Sequence, residues 1–474
     1  MTDITFGTDG WRAVIADQFT FRNLDTVARA TVRWLRRQQT TSPKVVIGYD
    51  TRFMGADFAE YVARVFASNE VDVVLSESFT PTPAVSWATK ALECNVGVVI
   101  TASHNPPNYS GYKLKGDFGG PATPDMISAV EGEMSSMVGE PVPPPSFERF
   151  RKEGRIEVLD VTSGYLDYIR ERLDLNAIRN SGIRVAHDAM FGAGQGMIRR
   201  LLGDKHVLEL RCDWNPGFHG QAPEPIERNL VGLSQAVVGE HCAAGLANDG
   251  DADRIGMYDE NGHYVDSHTL LSLLLKYLHK DQGQTGVIVK TFSTTSLIDR
   301  MAEAYGLAVE MTPIGFKYIA SVIVNRDVLV GGEESGGIAV KGHLPERDGV
   351  YIGLLVVEMM VKRGLKLSEL VRELHEEFGP HFCRRVDLHT TESKKQNVLK
   401  RLRDEGGLAE ISGKTVTRTE TLDGVKHFTD EGWLLVRPSG TEPVLRIYSE
   451  ASSAASAEAL IRDAAENLGV SETN

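Results

Sequence analysis

The chain has 474 residues, 42% of them hydrophobic and 24% charged, and carries a net charge of −14. That length exceeds what a single core sustains, so three or four domains are expected. The acidic balance argues against nonspecific nucleic-acid binding, and no apolar run is long enough to span a bilayer. The opening Met1-Thr2-Asp3-Ile4-Thr5-Phe6 lacks the basic and apolar regions of a secretory signal. Cys94, Cys212, Cys242 and Cys383 form no CxxC pair, which reads as reduced core thiols instead of a disulfide framework or a zinc site. The expected compartment is therefore cytoplasmic.

In chain order, an amphipathic pattern from Leu24 to Arg37 precedes a strand candidate at Val45-Val46-Ile47-Gly48-Tyr49. A helical pattern at Phe58 to Ser68 leads into Val71-Asp72-Val73-Val74-Leu75, and the apolar run Val96 to Ile100 follows. Pro141, Pro143, Pro144 and Pro145 then give the clearest linker signal. The second block offers a helix near Tyr165 to Leu173, a strand at Ile183-Arg184-Val185-Ala186 and a helix near Met197 to Leu202. It closes on Ala244-Gly245-Leu246-Ala247 and an acidic loop. A third block has a helix at Leu270 to Leu278, a strand at Val287-Ile288-Val289, and Val328-Leu329-Val330 running straight into Gly331 to Gly337. The tail from about His381 has shorter strand signals. Alternation of strand-length and helix-length segments predicts an α/β protein with parallel pairing. The expected organisation is three similar mixed α/β domains, 1–148, 149–262 and 263–380, plus a smaller C-terminal α+β domain, 381–474.

Each block ends an apolar strand in a polar loop, where open α/β sheets bind ligands. In Thr101-Ala102-Ser103-His104-Asn105-Pro106-Pro107 the serine either caps a helix, the commoner fate, or carries chemistry. It lacks the flanking glycines of a G-x-S-x-G nucleophile elbow. A phosphate-carrying serine needs a nearby cation, and Lys113 is close enough in sequence to return to it. Asp249, Asp251 and Asp253 alternate, so three carboxylates can converge on one hard cation, and so few protein oxygens suit Mg²⁺ beside a phosphate. A calcium loop of the EF-hand type is the rival, with Glu260 at its twelfth position. Arg254, however, stands at the sixth, where the turn needs glycine. Without a cation the clustered charges repel, which favours a metal over a solvated acidic turn. Glu333 and Ser335, among glycines, suit adjacent sugar hydroxyls, although a plain glycine-rich turn is an equal reading. Arg437-Pro438-Ser439-Gly440-Thr441 combines a guanidinium, hydroxyls and close backbone approach, equipment for a phosphate dianion. His104 and His343 are secondary candidates for proton transfer.

Thr101 to Pro107, Asp249 to Arg254, Gly332 to Gly336 and Arg437 to Pro443 resemble, in order, the four signatures of the α-D-phosphohexomutase family. Phe6-Gly7-Thr8-Asp9-Gly10-Trp11-Arg12 resembles its N-terminal segment, so the likeness spans nearly the whole chain. The resemblance implies a four-domain, heart-shaped enzyme with a central cleft. Such an enzyme interconverts hexose 1-phosphate and 6-phosphate through a phosphoserine and a hexose 1,6-bisphosphate. Ser103 would be the phosphoserine and, with Asp249, Asp251 and Asp253, would hold Mg²⁺. Lys113 would match the proton-transfer lysine, with His104 beside it and Arg12 and Arg254 near the transferring phosphate. Glu333 and Ser335 would bind sugar hydroxyls, Lys317 and His343 would be further cleft residues, and Arg437, Ser439, Gly440 and Thr441 would hold the phosphate that is not reacting. Arg12, Lys113, Arg254, Lys317 and Arg437 would supply a local positive field within an acidic chain. Gly332-Glu333-Glu334-Ser335 resembles the glucose-preferring branch, and Gly337 lies where the dual-specificity branch often has histidine. The expected reaction is therefore glucose 1-phosphate to glucose 6-phosphate, with glucose 1,6-bisphosphate as intermediate and activator. Its expected partners are small hexose phosphates, with neither nucleic acid nor membrane. Phosphomannomutase is the runner-up, ahead of a Mg²⁺-dependent phosphatase or a silent sugar-phosphate sensor.

Overall fold

A computed structural model of the chain describes residues 4–38, 42–137, 143–404, 407–438 and 444–470. The first sheet runs, in spatial order, Trp11–Val14, Tyr109–Gly116, Val96–Ile100, Lys44–Tyr49, Asp72–Ser76 and Ile156–Leu159. Its last four strands are mutually parallel, and Tyr109–Gly116 returns antiparallel beside Val96–Ile100. Helices cover both faces, which is why these strands read as unbroken apolar runs. Val45 and Ile47 enter one buried cluster with Phe58 and Val62, while Val46, Val74 and Val99 enter another with Val85 and Tyr165.

The strand Ile156–Leu159 pairs with Asp72–Ser76, so the first sheet takes up chain beyond the boundary expected at 148. The proline run therefore bounds a loop between elements of this first layer. A proline lacks the N–H a sheet requires, but its carbonyl still accepts. Arg64 donates to the carbonyls of Pro144 and Pro145 at 2.9 and 2.8 Å. Pro141 lies outside the described residues.

The second sheet orders Tyr264–Val265, Ile255–Asp259, Ala244–Asn248, Val185–Asp188 and Val207–Leu210. The third orders Val309–Thr312, Val287–Thr291, Val328–Gly332 and Ile338–Val340. One device recurs in all three sheets. A buried strand with a parallel neighbour ends in a polar loop, and the chain turns back as its antiparallel partner. It does so at Val96–Ile100 and Tyr109–Gly116, at Ala244–Asn248 and Ile255–Asp259, and at Val328–Gly332 and Ile338–Val340. The sheets are thus mixed, as expected.

Two apolar contacts tie the third domain to the second and to the fourth. The helix Gly349–Arg363 belongs to the third block in sequence but lies against the second sheet, buried from Gly349 to Met360. Gly353 permits this approach, because a Cβ there would stand 2.7 Å from a Leu246 methyl. The fourth domain is antiparallel, ordered Phe382–His389, Val444–Ala451, Gly432–Pro438, Val425–Thr429 and Arg418–Glu420, with helices Glu392–Asp404 and Ala454–Asn467. Trp433, Leu435 and Tyr448 pack on Phe292 of the third domain. Among the described residues no helix is long and apolar enough to cross a membrane.

Candidate functional site

Val96–Ile100 delivers Ser103 onto the loop with a left-handed φ of 51°, a conformation that costs a non-glycine residue about 1 kcal/mol or more. The loop is held from beneath. Arg52, fully buried at the end of the neighbouring strand, donates to the carbonyls of Ser103, Asn105, Pro106 and Tyr109 at 2.5, 2.7, 2.8 and 3.1 Å. Its charge is matched by Asp50, 3.1 Å away, whose other support is the Thr101 hydroxyl at 2.6 Å. Burial pushes the Asp50 carboxyl up to about 6 even so. Sequence reasoning missed this pair, although Asp50-Thr51-Arg52 follows an apolar strand just as the serine loop does.

The Ser103 hydroxyl donates to Asp249 Oδ2 at 2.6 Å, and His104 Nδ1 lies 3.3 Å from the same hydroxyl oxygen. Asp249, Asp251 and Asp253 are all fully buried, and one oxygen from each lies within 4.8 Å of the others. Burial and mutual repulsion hold the Asp249 carboxyl far above the usual carboxylate range. Lys113 does return to the site, through the antiparallel strand that pairs Val99 with Lys113. Its ammonium donates to Asp251 and Asp253 at 2.7 and 3.1 Å and pairs with Asp9 at 2.6 Å. Burial alone would favour neutral Lys113, but these three carboxylates outweigh it and hold the ammonium form well above its ordinary range.

A second buried cation, Arg347, shares this load. It meets Asp9 and Asp253 at 2.5 and 2.7 Å and approaches Glu333 at 3.6 Å. Neither Asp9 nor Arg347 was assigned a role from sequence. The only local hint was the charged triplet Glu346-Arg347-Asp348 ahead of an apolar helix. Burial pushes Glu333 up to about 7 despite Arg347. Ser335 lies two residues further along the same turn, partly exposed.

Arg12 lies on the edge strand opposite Gly111 and donates to Asn105 at 2.7 Å. Arg254 stands 3.9 Å from both Asp249 and Asp253, and its buried Nε has no hydrogen-bond partner. Burial and the cations Arg254, Arg12, Arg385 and Lys113 drive the His104 imidazole well below its ordinary range, so it is neutral at pH 7. Lys317 reaches the N-terminal segment, donating to the Gly7 carbonyl at 3.4 Å. In the fourth domain Arg437 is fixed by Asp423 at 2.9 Å, and Asp423 also accepts from the Ile314 amide of the third domain at 2.9 Å. Arg385 was another omission; it pairs with Asp387 at 2.7 Å. Ser439, Gly440 and Thr441 lie outside the described residues.

The structure gathers Ser103, His104, Lys113, Arg12, Arg254 and the three aspartates, and joins Glu333 to them through Arg347. His343 does not join them. Its ring stacks on Tyr351 at 3.8 Å between centroids, and Nε2 meets Asp348 at 2.8 Å. Asp348 in turn accepts from the Tyr351 amide and caps the helix Gly349–Arg363. A histidine buried on an aromatic face with its polar edge on a helix cap is a structural residue. The local field is also less uniformly positive than the sequence implied, because Lys113 and Arg347 are engaged by carboxylates.

The aspartate cluster fits a hard divalent cation. Asp251 Oδ1 and Asp253 Oδ1 are buried without a partner, so two ligand oxygens are already directed into protein and not into water. Gly250, between the first two aspartates, lies against the serine loop; a Cβ there would stand 2.4 Å from the Ser103 carbonyl oxygen.

Comparison with known proteins matches four models of one family. They are phosphoglucomutase/phosphomannomutase α/β/α domain I over residues 3–137, domain II over 163–262, domain III over 266–378 and the C-terminal domain over 389–467. A protein of Thermococcus kodakarensis named phosphoglucomutase/phosphomannomutase is 32% identical over 452 residues, covering 94% of each chain. A phosphoglucosamine mutase of Ruegeria sp. is 30% identical, again over 94% of each. The crystal structure of a protein from Thermus thermophilus, described as a "putative phosphomannomutase", superposes with a TM-score of 0.86 at 35% identity, over 99% of each chain.

Proposed function

The chain belongs to the phosphoglucomutase/phosphomannomutase family, and on that premise we propose that it interconverts glucose 1-phosphate and glucose 6-phosphate with Ser103 as the phosphoryl carrier. The observation that carries this reading is the meeting of the Ser103 hydroxyl with Asp249 at 2.6 Å, in a cluster that also gathers Lys113, Arg12 and Arg254. A phosphatase would need the serine and the carboxylates. It would not need Arg437 and its loop on a separate domain to hold a second phosphate.

In the proposed cycle the phosphorylated Ser103 gives its phosphoryl group to the free sugar hydroxyl. The O–P bond to serine breaks as the new O–P bond forms, leaving a hexose 1,6-bisphosphate. The bisphosphate turns over, and its other phosphate passes back to Ser103. Asp249, Asp251 and Asp253 would hold Mg²⁺, which supplies charge neutralisation at the transferring phosphoryl oxygens. Lys113, held as an ammonium, serves as the proton donor to the serine oxygen when its bond to phosphorus breaks. The amine so formed takes the proton that the sugar hydroxyl loses, which restores the ammonium and its three carboxylate contacts. Arg12 and the unpartnered Nε of Arg254 complement the equatorial oxygens. Glu333, poised near neutrality, is suited to exchange a hydrogen bond with a sugar hydroxyl, and Arg437 holds the remote phosphate.

The test is turnover of glucose, mannose and glucosamine 1-phosphates with Mg²⁺ and a trace of the matching bisphosphate. The highest kcat/KM on glucose 1-phosphate is expected. A preference for glucosamine, the sugar in the name of the Ruegeria relative, would overturn the glucose assignment and leave the phosphomutase reading intact. Release of inorganic phosphate without the 6-phosphate would identify a phosphatase.

A further inference from the structure

We propose that His187, Glu209 and Cys212 form a second metal site, in the second domain, for a borderline-soft divalent cation of the Zn²⁺ type. One donor atom from each lies within 4.8 Å of the other two. Parallel pairing places His187 directly opposite Glu209 on the next strand, so their side chains share a face, and Cys212 follows two residues after that strand ends. The cysteine spacing gave no warning of this. The donors come from adjacent strands, and no second cysteine takes part.

The hydrogen bonding around His187 fixes which nitrogen is available. Asn248 Nδ2 donates to the Arg254 carbonyl at 2.9 Å, so Asn248 Oδ1 must accept. Its partner is His187 Nε2 at 3.0 Å, which therefore carries the proton. Burial favours the neutral imidazole, and Nδ1 is left with a bare lone pair. His187 is fully buried and Nδ1 has no hydrogen-bond partner. Asn248 lies on the strand to one side, and Glu209 on the strand to the other, so Nδ1 is the nitrogen left for Glu209 and Cys212. Glu209 repeats the pattern: Oε2 pairs with Arg199 at 3.2 Å, while Oε1 is buried and unpartnered.

A bare imidazole nitrogen and a buried, unpartnered carboxylate oxygen are costly without a cation, and the half-buried Cys212 thiol stands beside them. With one, they form a mixed N, O, S donor set of the kind that Zn²⁺ accepts, with the fourth position open to water. Bonds of roughly 2.0–2.3 Å bring tetrahedral donors to about 3.3–3.8 Å apart, so closure requires movements of about an ångström. The outer partners are in place as well: Asn248 orients the imidazole, and Arg199 holds the second oxygen of Glu209. The ion would touch no substrate. Through His187, Asn248 and the Arg254 carbonyl it would brace the end of the Asp249–Asp253 loop, a positioning role separate from the all-oxygen cluster.

The experiment is Co²⁺ titration of chelator-treated full-length protein in saturating Mg²⁺. A thiolate-to-cobalt charge-transfer band is expected at one equivalent, displaced by Zn²⁺, lost in Cys212→Ser and retained in Cys383→Ser. Oxygen ligation at the aspartates produces no such band. Zn²⁺ should also raise the unfolding temperature of the wild type and leave that of Cys212→Ser unmoved. If Cys212→Ser fails to fold, Glu209→Gln replaces it, with Co²⁺ affinity expected to fall roughly tenfold or more. Absence of the band in wild type, its survival in Cys212→Ser, or unchanged affinity in Glu209→Gln overturns the proposal.

Discussion

Ser103 and Asp249, 146 positions apart in the chain, share a hydrogen bond of 2.6 Å from the serine Oγ to the carboxylate Oδ2. The two residues lie on loops that follow strands of different sheets, and their contact is one of those by which the first and second domains meet. Replacing Ser103 by alanine removes the carrier atom and little packing. Turnover of glucose 1-phosphate should fall by roughly three orders of magnitude or more, with an unchanged far-ultraviolet spectrum. A variant keeping a tenth of wild-type turnover would eliminate the phosphoserine mechanism.

Chelation should silence the enzyme, and Mg²⁺ should restore it. Asp253→Asn removes one unpartnered oxygen's full charge and weakens the pairing with Lys113 and Arg347. Its Mg²⁺ requirement, read as the concentration giving half-maximal activity, is expected to rise at least about tenfold. An identical Mg²⁺ dependence would remove Asp253 from the metal site.

Arg347 serves Asp9, Asp253 and Glu333 at once. Arg347→Met leaves those buried carboxylates without their guanidinium, which costs about 3–5 kcal/mol when a buried pair is broken. The urea midpoint should drop accordingly, and Arg347→Lys should recover part of it. A midpoint within error of wild type would show the network to be dispensable.

Glu333 carries a pH signature. Its carboxyl is pushed from 4.5 up to about 7 by burial, so between those values the folded chain binds more protons than the unfolded one. Stability from this group is therefore fully present below pH 4.5 and is lost as pH rises to 7, by up to about 3 kcal/mol. In Glu333→Gln that loss disappears. The difference in unfolding free energy between variant and wild type should grow in the variant's favour from about pH 5 to about pH 7.5, even as KM for the sugar phosphate rises. A flat difference would show the carboxyl to be ordinary.

Arg437 is held by Asp423, and the task proposed for it is to hold the phosphate that is not reacting. Arg437→Ala should raise KM and lower kcat for hexose phosphate, while bisphosphate still phosphorylates Ser103, as seen by intact mass. Unchanged kinetics would reject its assigned role.

Much of this architecture was legible because short apolar runs bounded by polar loops are a local signal. Val96–Ile100, Ala244–Asn248 and Val328–Gly332 stand where the sequence placed them, each ahead of its loop. The helix expected near Tyr165 to Leu173 runs instead over Val161–Arg170, capped by Asp160, whose side chain accepts from the Ser163 amide. What escaped was set by tertiary proximity. Arg52 and Arg347 lie in no periodic pattern and acquire meaning only from carbonyls and carboxylates contributed by distant segments. His343 misled for the converse reason, since a histidine near a glycine-rich loop looks the same in sequence whether it meets a ligand or a tyrosine. The return of Ile156–Leu159 to the first sheet was hidden behind the prolines, because strand partnership across a long connection has no local mark.

The missing side chain at position 250 has one last implication. The serine loop and the aspartate loop touch backbone to backbone at that point, with no room for a methyl group between them. Alanine there would act as a wedge, widening the seam and lengthening the reach from hydroxyl to carboxylate. The two loops, encoded far apart, are therefore a matched pair, and neither can drift in shape unless the other follows.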